Sequence, residues 1–161
     1  MQKIFYKPKN RDYFEKLLSF SKVLFEICEK HNIQPIVYGS LAYAFFTQDE
    51  EIEINDIDLL VPEEVFPIII EEIKKQKELS YQETDYNSLK VFQNDIKITF
   101  DSIKHYYSNL PENFIEISIN NYPFKIISLE ALKEIYVRGR NNIPIKKDAY
   151  QKKINGLAKI G

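Results

Sequence analysis

At 161 residues with 44% hydrophobic side chains, the chain is long enough for one domain with a buried core and too apolar to be disordered. A formal net charge of −2 excludes a global basic field and argues against a long nucleic acid as partner. The single cysteine, Cys28, excludes an internal disulfide and no apolar stretch approaches the ~20 residues of a membrane span, so the expectation is one cytoplasmic domain over residues 1–161, not membrane-inserted.

The segment Met1 to Arg11 is polar and basic, without the apolar core of a targeting signal. Phe14, Leu17, Leu18, Ser21, Leu24, Phe25 and Cys28 then recur at three- and four-residue spacing, which predicts a helix over 10–31 with Cys28 in the core. Pro35 reinforces the break after it. Ile36, Val37 and Tyr38 form a short apolar run ending at Gly39, a buried strand, and Ser40 is the N-cap type for a helix over 40–46. Residues 49–55 are acidic and polar, a loop. Residues 56–61 predict a second strand stopped by Pro62, and 63–77 a helix with Pro67 in its first turns. Strands follow over 80–103, with Asn94–Asp95 as a hairpin turn. A second hairpin is expected over 114–127 around Asn120–Asn121. A helix from Ser128 to about Arg140 and a last one over 145–158 flank Pro144. This order predicts an α/β (α+β) sandwich, a mixed β-sheet flanked by helices.

The chemistry concentrates in two places. In a strand, residues two apart lie on one face, about 6.5–7 Å apart along the chain. Asp56 and Asp58 therefore project together while Ile57 and Leu59 enter the core. Converging carboxylates suit one or two hard cations such as Mg²⁺, and two metals roughly 3.5–4 Å apart are a recurring device of phosphoryl chemistry. Alone, such a pair also fits a solvated strand end or a helix cap. Upstream, Gly39–Ser40 sits where a strand passes into a helix, which places backbone N–H groups as a phosphate site with no Cβ to obstruct approach. Alone, it also fits an ordinary strand–helix turn, and the chain has no P-loop pattern. On a later strand Lys97, Thr99 and Asp101 share one face, and Asp101 fits a third metal ligand or a general base for a hydroxyl. Two histidines and one cysteine build no zinc site, and Ser40 has no motif-level histidine partner for hydrolase chemistry. Tyr81, Tyr86 and the pair Tyr106–Tyr107 are candidates for stacking on a base or acceptor ring, although a chain with 11 Tyr and 11 Phe has many such aromatics in ordinary packing. Lys152 and Lys153 read as solvated.

In combination, Tyr38–Gly39–Ser40 followed by Asp56–Ile57–Asp58–Leu59 resembles the signature of the DNA polymerase β-like nucleotidyltransferase superfamily. The spacer Leu41 to Asn55 is 15 residues, longer than is usual there, with the excess in the acidic loop where insertion is cheap. Ser128–Leu129–Glu130, then Arg138 and Arg140, then Lys147–Asp148 resemble the ending of its small antibiotic- and toxin–antitoxin-type members. The resemblance implies the nucleotidyltransferase fold and Mg²⁺-dependent transfer of a nucleoside monophosphate from a nucleoside triphosphate to a hydroxyl of a small molecule, a protein or a tRNA end. It implies that Asp56, Asp58 and Asp101 hold metal and do catalysis. It implies that Gly39, Ser40, Lys133, Arg138 and Lys147 (or Arg140) bind the nucleotide. A homodimer that completes the acceptor pocket is compatible with it. The alternative is a catalytically silent nucleotide-binding or antitoxin-like partner module of the same fold.

Overall fold

The computed structural model describes residues 1–105 and 114–160. Eight strands form one mixed sheet in the order β1-β7-β8-β2-β3-β6-β5-β4. They are β1 (Gln2–Ile4), β2 (Ile36–Tyr38), β3 (Ile57–Val61), β4 (Leu79–Glu83), β5 (Ser88–Gln93), β6 (Ile96–Ser102), β7 (Phe114–Ile119) and β8 (Tyr122–Ile127). The helices are α1 (Arg11–Glu29), α2 (Gly39–Thr47), α3 (Phe66–Lys74), α4 (Leu129–Asn142) and α5 (Lys147–Ala158). No helix among the described residues is long and apolar enough to cross a membrane.

The hydrophobic pattern sets most of this. Phe14, Leu17, Leu18, Phe20, Leu24, Ile27 and Cys28 bury one stripe of α1. Ile57, Leu59, Leu60 and Val61 leave no accessible surface on β3, which runs parallel to β6 and antiparallel to β2 at the centre of the sheet. The two hairpin turns take left-handed backbone at Asn94 and at both Asn120 and Asn121, the conformation that asparagine tolerates best after glycine. Pro67 stands in the first turn of α3, where its missing N–H costs nothing. Ser128 caps α4 by accepting a hydrogen bond from the Ala131 N–H.

Three expectations are corrected. The N-terminal segment expected to precede the first element contains β1, which pairs in parallel with β7. Only Ile4 of its three residues is buried, so an edge strand this short carries no alternation to read. Ser40 is not an N-cap: α2 opens at Gly39, and Ser40 lies inside its first turn. The last helix begins at Lys147, because Pro144–Lys146 forms a separate 3₁₀ turn that leaves Ile145 92% exposed.

Candidate active site

A cavity of about 700 Å³ opens between the central strands and the α4–α5 pair. Its floor follows from strand alternation. Asp58 pairs with Tyr38 of β2 on one side and with Thr99 of β6 on the other. Ser88 and Lys90 of β5 pair with Asp101 and Thr99. All of these side chains face the cavity, while Ile57, Leu59, Ile98 and Phe100 fill the core beneath. Asp56, Asp58 and Asp101 thus share one surface, as the spacing predicts.

The three carboxylates are not equivalent. Asp56 Oδ2 accepts hydrogen bonds from Thr99 Oγ1 at 2.7 Å and pairs with Lys97 Nζ at 3.4 Å. Its Oδ1 is buried with no hydrogen-bond partner. Such an atom is costly to desolvate unless something binds it. Burial pushes the Asp56 carboxyl above its ordinary range, against the opposing Thr99 and Lys97 contacts. Asp58 is pushed further, first by burial and then by the negative charges of Asp56 and Asp101, with Lys153 and Lys97 opposing. Asp101 is buried and spoken for: Tyr38 Oη donates to one oxygen and Ser88 Oγ to the other. Among the described residues no group of three or more His, Cys, Asp and Glu is arranged to hold a metal. Asp56 and Asp58, which face the cavity, are the carboxylates that could hold a divalent cation. The orphaned Asp56 Oδ1 and the two unfavourably desolvated carboxyls are what a hard cation would relieve.

Gly39 fixes the geometry above the floor. Its φ is +68°, and an added Cβ would overlap Asp58 Oδ2 and lie 3.1 Å from Asp58 Cγ. The close approach reserved by the missing Cβ is thus taken by the Asp58 carboxylate. Tyr136 Oη of α4 donates to the Gly39 carbonyl at 3.1 Å, which ties the turn to the helical roof.

The cations differ most from expectation. Lys153, expected to be solvated, reaches into the cavity. Its Nζ donates to Ser40 Oγ at 3.2 Å and lies over the rings of Tyr43 and Tyr136 at 5.8 and 5.3 Å. Burial pulls its pKa down and Asp58 holds it up. Lys133, Arg138 and Lys147 are not among the cavity's lining residues. Arg138 is exposed on α4 beside Glu134, and Arg140 donates to Gln151 at 2.8 Å. The helical period accounts for this. Lys146, Ala149, Tyr150 and Lys153 recur at three- and four-residue spacing and face the cavity together, whereas Lys147 and Lys152 are exposed. That stripe was the available signal for Lys153. Tyr86 lines the cavity mouth and Tyr81 does not; Tyr106 and Tyr107 lie outside the described residues.

No family model matches the chain, and a search of curated proteins by sequence finds no match. Solved structures do match. ANT(2″)-Ia in complex with adenylyl-2″-tobramycin superposes with a TM-score of 0.62 at 15% identity, covering 89% of each chain. An antigenic nucleotidyltransferase-like protein from Paracoccidioides brasiliensis gives 0.63 at 12% identity, over 91% of this chain and 77% of that one. The chain has the nucleotidyltransferase fold. The lincosamide antibiotic adenylyltransferase LnuA, lincomycin-bound, shares this nucleotidyltransferase fold at a TM-score of 0.59 and 14% identity, over 91% of this chain and 98% of that one. At such identities the likeness is one of architecture.

Proposed function

We propose that the protein is a Mg²⁺-dependent nucleotidyltransferase that moves a nucleoside monophosphate from a nucleoside triphosphate to an acceptor hydroxyl. The observation that carries this reading is the pairing of Asp56 and Asp58 on the cavity floor, with Asp56 Oδ1 buried and unpartnered, directly below the Gly39–Ser40 helix start. Asp56 and Asp58 would hold the cation, which neutralises triphosphate charge and polarises the α-phosphate. The Gly39–Ser40 backbone offers N–H groups at the start of α2 to phosphate oxygens. Lys153, already beside Ser40, supplies a cation to the same end of the triphosphate. In the reaction the acceptor oxygen bonds to the α-phosphorus. The bond from that phosphorus to the bridging oxygen breaks, and pyrophosphate leaves with the electron pair. The hydroxyl proton passes to Asp101, held in place by Tyr38 and Ser88. Solved neighbours bound to lincomycin or to an adenylylated tobramycin support nucleotidyl transfer as the reaction.

The test is calorimetric titration with each NTP, with and without Mg²⁺, together with pyrophosphate release. Mg²⁺-dependent binding that Asp58→Asn abolishes is the expected result. Absence of binding to every NTP refutes the reading. One observation favours a second reading, a silent nucleotide-binding partner module: both Asp101 oxygens are engaged by neighbouring hydroxyls. It predicts NTP binding without pyrophosphate release under any acceptor.

A further inference from the structure

The cavity's charges fall on two sides of the carboxylate row. On the helical side stand Lys153 and Lys146; on the strand side stand Lys90 and Lys97. Strands lie about 4.8 Å apart. Since the order is β2-β3-β6-β5, Lys90 on β5 is three strand spacings, about 14 Å, from β2, the strand that runs into Gly39. A triphosphate seated on Gly39, Ser40 and Lys153 leaves Lys90 across the reacting centre. Lys97 is committed to Asp56. Lys90 forms no ion pair among the described residues; its ammonium sits 5.9 Å from the ring of Tyr86, a tyrosine 55% exposed at the cavity mouth. Among the described residues the only carboxylates lining the cavity are Asp56, Asp58 and Asp101, and the proposed reaction uses all three.

Resting on the nucleotidyl-transfer reading, we infer that the acceptor is an anionic, phosphate-bearing hydroxyl compound whose phosphate is held by Lys90 beside the Tyr86 ring. An ammonium with no carboxylate partner suits a phosphate, and the exposed ring beside it offers a face on which a flat body attached to that phosphate can stack. A polycationic acceptor would need acidic groups beyond the three already engaged. In a cavity with lysines on both flanks its ammonium groups would meet like charge.

The experiment loads the protein with Mg²⁺ and α,β-methylene ATP, which cannot transfer its nucleotide. Inorganic phosphate, adenosine 5′-monophosphate, adenosine, a short oligoribonucleotide and kanamycin are then titrated in. Phosphate and phosphate-bearing ligands are expected to bind the loaded protein and adenosine to bind more weakly. Lys90→Gln is expected to weaken the phosphate ligands about tenfold, the worth of one charge-assisted hydrogen bond, with α,β-methylene ATP affinity unchanged. Lys133→Gln is the control and should change neither. Preference for the monophosphate identifies a small-molecule source and preference for the oligonucleotide a nucleic-acid end; both support the inference. Tighter binding of kanamycin, or phosphate binding indifferent to Lys90→Gln, overturns it. If no NTP binds, the nucleotidyl-transfer reading falls and takes this inference with it; if another NTP binds in place of ATP, its α,β-methylene analogue replaces α,β-methylene ATP in the same experiment. If the analogue binds and phosphate does not, only this inference falls.

Discussion

Substituting Gly39 by alanine should cost stability through two separable terms. The first is the backbone. At φ +68° an L-residue carries a left-handed penalty of about 1–2 kcal/mol. The second is overlap: the new methyl group would collide with Asp58 Oδ2 and crowd Asp58 Cγ at 3.1 Å. Overpacking of this kind costs about 1–3 kcal/mol. The sum, about 2–5 kcal/mol, is a large share of the ~5–15 kcal/mol that holds a domain folded. At about 2–4 °C per kcal/mol for a chain of this size it lowers Tm by roughly 4–20 °C. Urea denaturation of wild type, Gly39→Ala, Asp58→Ala and the double variant separates the terms. Deleting the Asp58 carboxylate should restore about 1–3 kcal/mol in the Gly39→Ala background and leave the backbone penalty of about 1–2 kcal/mol. The double-mutant cycle reads the difference as coupling. A Gly39→Ala cost below about 1 kcal/mol, or a cycle with no coupling, refutes the claim that this glycine exists to admit Asp58.

Four further outcomes follow from the same geometry. Because the Asp58 carboxyl is raised in the folded state by burial, Asp56 and Asp101, its contribution to stability is greatest below the ordinary aspartate pKa and is lost as pH rises through the raised value. In chelator, wild type should therefore lose stability relative to Asp58→Asn as pH rises, a difference that Mg²⁺ removes; a pH-independent difference between the two proteins rules this out. Lys153→Gln should weaken Mg²⁺–NTP binding by about tenfold or more, whereas Lys133→Gln and Arg138→Gln should leave the calorimetric affinity unchanged; equal losses in all three would return the nucleotide site to the cations of α4 outside the cavity. Burial pushes the Cys28 thiol up to about 12, so it should react with a thiol reagent only as fast as the protein opens, and rapid labelling of the native state would contradict its place in the core. Ser128→Ala removes the N-cap of α4 and should cost about 1 kcal/mol in denaturation.

Features that depend on chemical period were legible before any fold was known. Alternation on the strands placed Asp56 with Asp58, and Lys97 with Thr99 and Asp101, because neighbouring residues of a strand must take opposite faces. Helical spacing placed the buried stripe of α1, and the asparagine turns placed both hairpins. The strand–glycine junction at Tyr38–Gly39 was legible because a glycine ending an apolar run has few other uses. What period cannot give is which surface meets which across the chain. The parallel pairing of β1 with β7 joins residues more than a hundred positions apart and leaves a single buried residue as its trace. The contact of Lys153 with Ser40 spans 113 positions, and only the folding of α5 against α2 makes an ordinary helix-face lysine into a cation of the cavity. Lys133, Arg138 and Lys147 have the same chemistry and lie on other faces. Asp101 was found as a carboxylate on the right face, but its engagement by Tyr38 and Ser88 arises from the order β2-β3-β6-β5. That order is fixed by long-range strand pairing, and no local segment encodes it.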